Sequence, residues 1–431
     1  MTAQPTATQT AAEVTVPSAA PVKEPLGRRF HVHLSSVAVA NLADGMVGAG
    51  VPLIAVGLTR SPAEISMLSV VLWLPWLLFG IVAGVVVDRT DRRLLRIVGM
   101  TVRAGVLGAL TVAAVTDRLS MPILVAGTAL YGLTTVFVDL AGRAIVPQLA
   151  PRSRWSAANG RVMAAEQVTN TFVGGPVGGA LLVLGAGWVM GVPTALAVLF
   201  VLLLLVGLRG DYKVARAEPK TPLKDVTEGL RFLTGHPVLR PLLVSGSLMN
   251  MASTAYFAVF VLWVVGDGSA VGLPPEAYPV LLALLAVGAV VGSVTVERVQ
   301  RHVDDVPLML GSWGVNTLML LVPVLAPTPV AIGAAMLVLG WTNSVGNILG
   351  MTIRQRLVPT GMLGRIGGAS STVGFGLMPL GALLGGLVGE TWGLPTVFVG
   401  ATVIALLALL YPATRLSQRL VDDHELVATD S

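Results

Sequence analysis

Long apolar runs alternate with short polar segments along almost the whole chain. Twelve runs are predicted as helices, at about 32–58, 64–87, 95–116, 121–145, 157–185, 189–208, 241–265, 278–296, 307–325, 330–352, 366–389 and 394–412. A helix of about 20 apolar residues crosses the hydrocarbon layer of a bilayer. The expected fold class is therefore an all-α integral membrane protein with twelve transmembrane helices. Between the fifth and sixth runs, Gly185-Ala186-Gly187-Trp188 must serve as a very short turn.

The polar segments alternate in charge. With the N-terminus placed in the cytoplasm, 25 of the 28 Lys and Arg residues fall on the cytoplasmic side. Only Arg60 and Arg118 fall outside, and Arg103 lies within the third helix. Positive charge marks the cytoplasmic side, so a multi-pass protein of the inner (plasma) membrane with both termini cytoplasmic is expected. The alternation also supports the count of twelve.

The longest internal polar stretch divides the chain. Expected domains are a disordered cytoplasmic tail at 1–25, a six-helix half at 26–208, a cytoplasmic linker at 209–240, a second six-helix half at 241–414 and a cytoplasmic tail at 415–431. In the linker, Leu223, Val226, Leu230 and Leu233 recur at helical spacing, so a short amphipathic helix at the membrane surface is expected. The halves repeat. Asn41 and Asp44 correspond to Asn250 and Ser253 at an offset of 209, and Asp88-Arg89 to Glu297-Arg298 at the same offset. Val146-Pro147 and Val358-Pro359 both close even-numbered helices. Two pseudo-symmetric halves suit a rocking transporter with its site between them near the midplane.

Composition agrees. Hydrophobic residues make up 54% and charged residues only 12%, about half the charged fraction of a soluble domain. The 49 glycines and 27 prolines suit helices packed through small residues. There is no cysteine, hence no disulfide or thiolate site, and no GxxxxGK[ST] phosphate loop for an ATP-driven pump. The basic residues flank membrane segments rather than forming one face, so no nucleic-acid partner is expected. The histidines at 31, 33, 236, 302 and 424 are read as tail or loop residues, and neither metal nor cofactor is expected. No nucleophile–base set suggests an enzyme.

A few polar residues interrupt the apolar runs. Asp44 lies mid-helix in the first, near Asn41. A charged group at the bilayer centre costs about 2.5–3.5 kcal/mol on insertion scales, so Asp44 is expected to face a cavity. A desolvated carboxylate favours its neutral form, the property a proton carrier needs. Arg103 has three candidate partners: Asp44, Glu166 or an anionic substrate. Glu166, Gln167 and Asn170 form a polar stripe leading into Gly175-Pro176 of the fifth helix. Asp139 and Arg143 are an i, i+4 pair at the cytoplasmic end of the fourth, expected to act as a gate or brace. Trp73, Trp76, Met249, Tyr256, Phe257, Phe260 and Trp263 suggest an apolar cavity, with Tyr256 and Phe260 on one face.

The stretch Gly84-Val85-Val86-Val87-Asp88-Arg89-Thr90-Asp91-Arg92-Arg93 resembles the loop between the second and third helices of major facilitator transporters. With Asn41 to Gly45, Asp139 to Arg143, Gly175-Pro176 and Gly364-Arg365, it makes the chain similar to the twelve-helix drug:proton antiporter group, which includes macrolide efflux proteins and the enterobactin exporter. The resemblance implies that Gly84, Asp88, Arg89, Arg92 and Arg93, with Asp139 and Arg143, form a cytoplasmic gate, Asp88 docking on the N-terminus of helix eleven. It also implies that Gly175, Pro176, Gly178 and Gly179 form a helix-five packing motif. That motif usually ends in Gly where this chain has Ala180, and the loop usually has Gly where it has Asp91. The expected function is proton-driven export of a drug-like or secondary-metabolite molecule by a monomer in the bilayer. The alternatives are export of a siderophore or other anionic product, or a non-transporting scaffold.

Overall fold

A computed structural model describes residues 25–151, 154–213, 222–358 and 363–429. Among these, eleven helices are long and apolar enough to cross a membrane. In the first half these are α1 (Arg28–Leu58), α2 (Pro62–Arg89), α3 (Arg92–Val115), α4 (Met121–Leu149) and, after a composite span, α7 (Ala186–Gly207). The composite is the expected fifth helix. It runs as α5 (Trp155–Gln167), a π-helical stretch Val168–Gly174, α6 (Gly175–Ala180) and a 3₁₀ turn Leu181–Leu184. Its broken character removes it from a simple count of continuous spans. The tight turn before α7 is a single residue, Gly185 at φ 110°, a conformation that disfavours side chains.

Helix α8 (Pro222–Gly235) leads into the second half: α9 (Leu239–Val264), α10 (Tyr278–Gln300), α11 (Asp305–Met319) continued by α12 (Val322–Leu325), and α13 (Pro329–Leu357). Then come α14 (Leu363–Gly376) with α15 (Met378–Trp392), α16 (Leu394–Arg415) and α17 (Gln418–Thr429). The expected linker helix is α8, but it packs across the end of the bundle onto α14, α9 and α2, with Leu233 buried. The stretch read as a C-terminal tail carries α17, whose Val421 is buried and whose Gln418 Oε1 accepts the Val306 N–H at 3.1 Å. Residues 1–24, read as a disordered tail, lie outside the described residues.

Apolar packing divides unevenly between the two ends. At one end a single cluster unites both halves, from Val47, Ile54, Ile65 and Leu68 to Tyr256, Phe260, Tyr278 and Phe398. At the other, arginine-rich end the core separates. One cluster around Phe30, Met100, Ile145 and Phe200 belongs to the first half. Another around Leu233, Met309, Leu349 and Val421 belongs to α8, α17 and the second half. The united end is also latched by polar contacts. Ser61 Oγ donates to Glu390 Oε2 at 2.8 Å, Ala63 N–H donates to the same oxygen at 3.3 Å, and Arg60 Nη1 donates to the Val265 carbonyl at 2.7 Å. The halves thus meet through α2 with α15 and α6 with α10, sharing one apolar core at the latch, while at the arginine-rich end the described cores are separate and α8 reaches across to α2.

Candidate functional site

Asp44 sits on α1 where helix five comes unusually close. A Cβ on Gly45 would overlap the Asn170 carbonyl, and one on Gly178 would overlap the Met46 backbone. Only glycine permits this approach. The π-helical turn fits it, since the Gly175 N–H bonds back to the Asn170 carbonyl. Gly179 performs a second task, facing Pro279 of α10 so closely that a Cβ would collide. The helix-five glycines therefore serve both packing within the first half and contact between halves. Gly175 is looser, with only the Asn170 carbonyl 4.0 Å from a built Cβ, and Pro176 sits at the start of α6.

Beside this contact lies a buried polar node. Arg103 Nη1 meets Asp44 Oδ1 at 2.7 Å, with the Arg103 side chain wholly buried and Asp44 17% exposed. Of the candidate partners, Arg103 meets Asp44. The Tyr131 hydroxyl also donates to Asp44 Oδ1. Arg103 also donates from Nη2 to Thr135 Oγ1 at 2.8 Å and from Nε to Thr134 Oγ1 at 3.3 Å, and its guanidinium lies 4.4 Å from the Tyr131 ring centre. Charge, hydrogen bonds and cation–π contact thus compensate the desolvated guanidinium. Asn41 turns back to donate to the Val37 carbonyl at 3.0 Å.

Tyr131, Thr134 and Thr135 escaped the sequence reading because neutral residues on an apolar helix carry no charge signal. Their i, i+3, i+4 spacing was the available clue. A second node also went unread, for a different reason. Arg96, counted with the cytoplasmic-side cations, is buried inside α3. Its Nη1 lies 2.8 Å from His33 Nδ1, its Nη2 donates to Ser36 Oγ at 3.2 Å, and it stacks over Phe200 at 4.8 Å. His33 is correspondingly a buried residue of α1, not a tail or loop histidine.

Other expected residues are placed differently. Tyr256 and Phe260 stack at 5.3 Å in the fully buried aromatic cluster with Phe398. The stripe that suggested a cavity wall is core in this conformation. Glu166 and Asn170 are half-buried, and Gln167 is exposed, donating to Thr171 Oγ1 at 3.2 Å. Asp139 and Arg143 share one helix edge but do not close to an ion pair among the described residues.

At the arginine-rich end, Asp88 is 67% exposed and among the described residues pairs with Arg92, at 3.6 Å. The side chains around Gly364 and Gly367, its expected docking place, lie outside the described residues. Among the described residues nothing stands within 4 Å of a built Cβ at Gly84, and Arg89 is exposed. Arg92 Nη1 donates to the Ala144 carbonyl at 2.6 Å, and Arg93 Nε to the Leu204 carbonyl at 3.2 Å, so both tie helices of their own half. Asp91, the departure from the usual loop, caps α3. It accepts the N–H groups of Arg93 at 2.7 Å and Leu94 at 3.1 Å, and that of Tyr212 at 3.2 Å. Burial pushes its carboxyl upward, but the N–H groups of Leu94, Tyr212 and Arg93 outweigh that and hold it below the usual range.

With this geometry in place, similarity to known proteins becomes informative. Residues 19–430 match the sequence profile of the major facilitator family described as transmembrane secretion effector. The chain belongs to that family. It is a secondary transporter and not an enzyme. Among curated relatives it is similar to the enterobactin exporter EntS of Citrobacter koseri, at 31% identity over 170 residues, 38% of this chain and 39% of that one. EntS of Escherichia coli O1:K1 matches at 31% over 168 residues, again 38% and 39%. The chain thus spans well under half the length of these relatives. Solved structures share the fold. A bacterial homologue of the iron transporter ferroportin in an inward-facing state superposes with TM-score 0.70 and 16% identity, over 91% of this chain and 99% of that one. A variant of the nucleoside transporter NupG gives 0.67 and 14%, over 90% and 100%.

Proposed function

We propose that the protein is a proton-coupled exporter of a small organic molecule of the secondary-metabolite or drug type, working by alternating access in the plasma membrane. Both termini lie in the cytoplasm, as the arginine distribution favours. The arginine-rich end, with its separate cores, then faces the cytoplasm, and Gly84 and Asp88 await a partner that arrives when that end closes. The observation that carries the reading is the Asp44–Arg103–Tyr131 node. It is an ionisable carboxylate inside the membrane, still partly exposed, touching a buried cation. Protonating Asp44 would neutralise it and loosen its hold on Arg103, so proton occupancy would be felt by α1, α3 and α4 together.

Export rather than uptake draws support from the family description and from the similarity to EntS. That similarity also favours a second reading, export of a siderophore or another anionic product. The test uses the full chain in proteoliposomes with an imposed pH gradient. Flux of a fluorescent drug-like dye should follow the gradient in the wild type. Asp44→Asn, fixed in a neutral form, should lose gradient-driven accumulation while retaining passive exchange. Accumulation by Asp44→Asn that still tracks the gradient would refute the coupling role and turn attention to Glu166.

A further inference from the structure

The second half contains a cavity of 280 Å³ whose described lining comes entirely from α9, α11, α13 and α14. Its polar wall is a stripe on α13: Asn343, Asn347 and Arg354, with Gly346 and Gly350 between them. The glycines make the room. A Cβ on Gly346 would overlap the Trp313 indole, which forms part of the opposite wall. Phe375 closes one side and stacks on Trp73 of α2 at 5.9 Å, so the cavity borders the seam between the halves.

Internal repetition relates this cavity to the Asp44 node. At the offset of 209, Asn41 and Asp44 map onto Asn250 and Ser253. At the offset of 212 set by Val146-Pro147 and Val358-Pro359, Tyr131 and Thr135 map onto Asn343 and Asn347. Two corresponding helices in each half, α1 with α9 and α4 with α13, thus carry polar groups at matching positions. In the first half they include the carboxylate of Asp44, which is held by Tyr131 and Arg103, while Thr135 accepts from Arg103. In the second they are three neutral amides and a hydroxyl, and no carboxylate lines the cavity among the described residues.

Donors remain open there. Asn347 Nδ2 donates to Asn343 Oδ1 at 2.9 Å, and whichever way the two amides turn, one NH₂ is left over. Trp313 Nε1 has no acceptor among the described residues. Arg354 gives Nε to the Gly350 carbonyl at 3.0 Å and Nη1 to Ser370 Oγ at a long 3.4 Å. No carboxylate pairs with it among the described residues. A guanidinium matches a carboxylate or phenolate, and an indole and a phenyl ring suit a flat aromatic body.

We propose that this cavity binds the anionic aromatic part of the transported molecule, a carboxylate or phenolate on a ring, with Arg354 and the Asn343–Asn347 pair as its polar contacts. The proposal rests on the export reading and supplies its substrate class. Division of labour follows: the carboxylate-bearing node of one half couples to protons, and its carboxylate-free counterpart in the other half, with Arg354 beside it, reads the solute.

The test measures binding to the purified full chain in nanodiscs with three probes of one shape: tritiated benzoate, benzamide and benzylammonium. Benzoate should bind about tenfold tighter than the other two. Arg354→Gln should remove that preference and leave benzamide within about twofold. Asn347→Asp, which keeps the arginine, should weaken benzoate and improve benzylammonium, and it gives an independent reading if the first variant is not monodisperse. Equal affinity for the three probes in the wild type, or benzoate binding unaltered in both variants, would overturn the site. Charge-selective binding without gradient-driven flux in proteoliposomes would retain the site and remove the export reading. Flux without charge-selective binding would do the reverse.

Discussion

Arg103 shows what a single buried charge demands. Its side chain is wholly buried, and it is held by one carboxylate, two hydroxyls and a ring face. Removing one member of a buried pair leaves the other uncompensated, typically at a cost of about 3–5 kcal/mol, while removing both often restores much of the loss. Arg103→Ala should therefore lower the melting temperature of the detergent-purified protein sharply, and Arg103→Ala with Asp44→Ala should recover part of it. Strictly additive losses in the double variant would show that the pair is not the unit. At this scale the sequence was legible where charge interrupts an apolar run, as at Asp44 and Arg103. It was silent on Tyr131, Thr134 and Thr135, because a neutral hydroxyl costs too little in a helix to stand out. It misread Arg96 and His33, because arginine near a helix end is ordinarily solvated. Only the fold, which lets Arg96 of α3 reach His33 of α1, reveals that these two share a buried site.

At the scale of elements, apolar run length fixed the continuous spans, because a helix in lipid must satisfy its own backbone. The break in helix five was less legible. Its Gly-Pro pair announced irregularity, but the π-turn depends on the contact of Asn170 with Gly45 on another helix. The connection between α8 and α9 offers a test of local chemistry. His236 Nδ1 accepts the N–H groups of Val238 at 3.1 Å and Leu239 at 3.3 Å, donors at the start of α9. The His424 ring of α17 lies 5.2 Å away. Burial, and secondarily the His424 charge, push the His236 pKa down, so the folded form holds fewer protons there than an unfolded chain. Stability from this cap is complete above the ordinary histidine value of about 6.5 and declines as pH falls below it. Between pH 7.5 and 5.5 the wild type should lose more melting temperature than His236→Asn, whose amide can still accept and does not titrate. Equal losses would mean that the cap does not set this dependence.

At the scale of the whole molecule, the two ends are held by different forces. Among the described residues the arginine-rich end keeps two separate apolar cores and a largely exposed Asp88, with α8 reaching across to α2. The latch end combines a shared apolar core with one carboxylate placed across the seam. Glu390 of α15 accepts from Ser61 and Ala63 at the N-terminus of α2, where the helix dipole favours negative charge. Such a contact is worth about 0.3–1 kcal/mol when exposed, and 1 kcal/mol changes a two-state ratio about fivefold. Glu390→Gln should therefore shift the population toward opening at the latch without unfolding either half, because each half keeps its own core. The absence of native cysteine makes the measurement clean. Spin labels on Arg118→Cys and Gly268→Cys, both exposed beyond the latch in opposite halves, would report the separation. The wild type should give one predominant short distance, and Glu390→Gln should add a longer component that grows further in Glu390→Lys, where a cation faces the positive end of α2. An unchanged distribution in both variants would assign the closure to the shared apolar core alone, with Ser61 and Glu390 as bystanders.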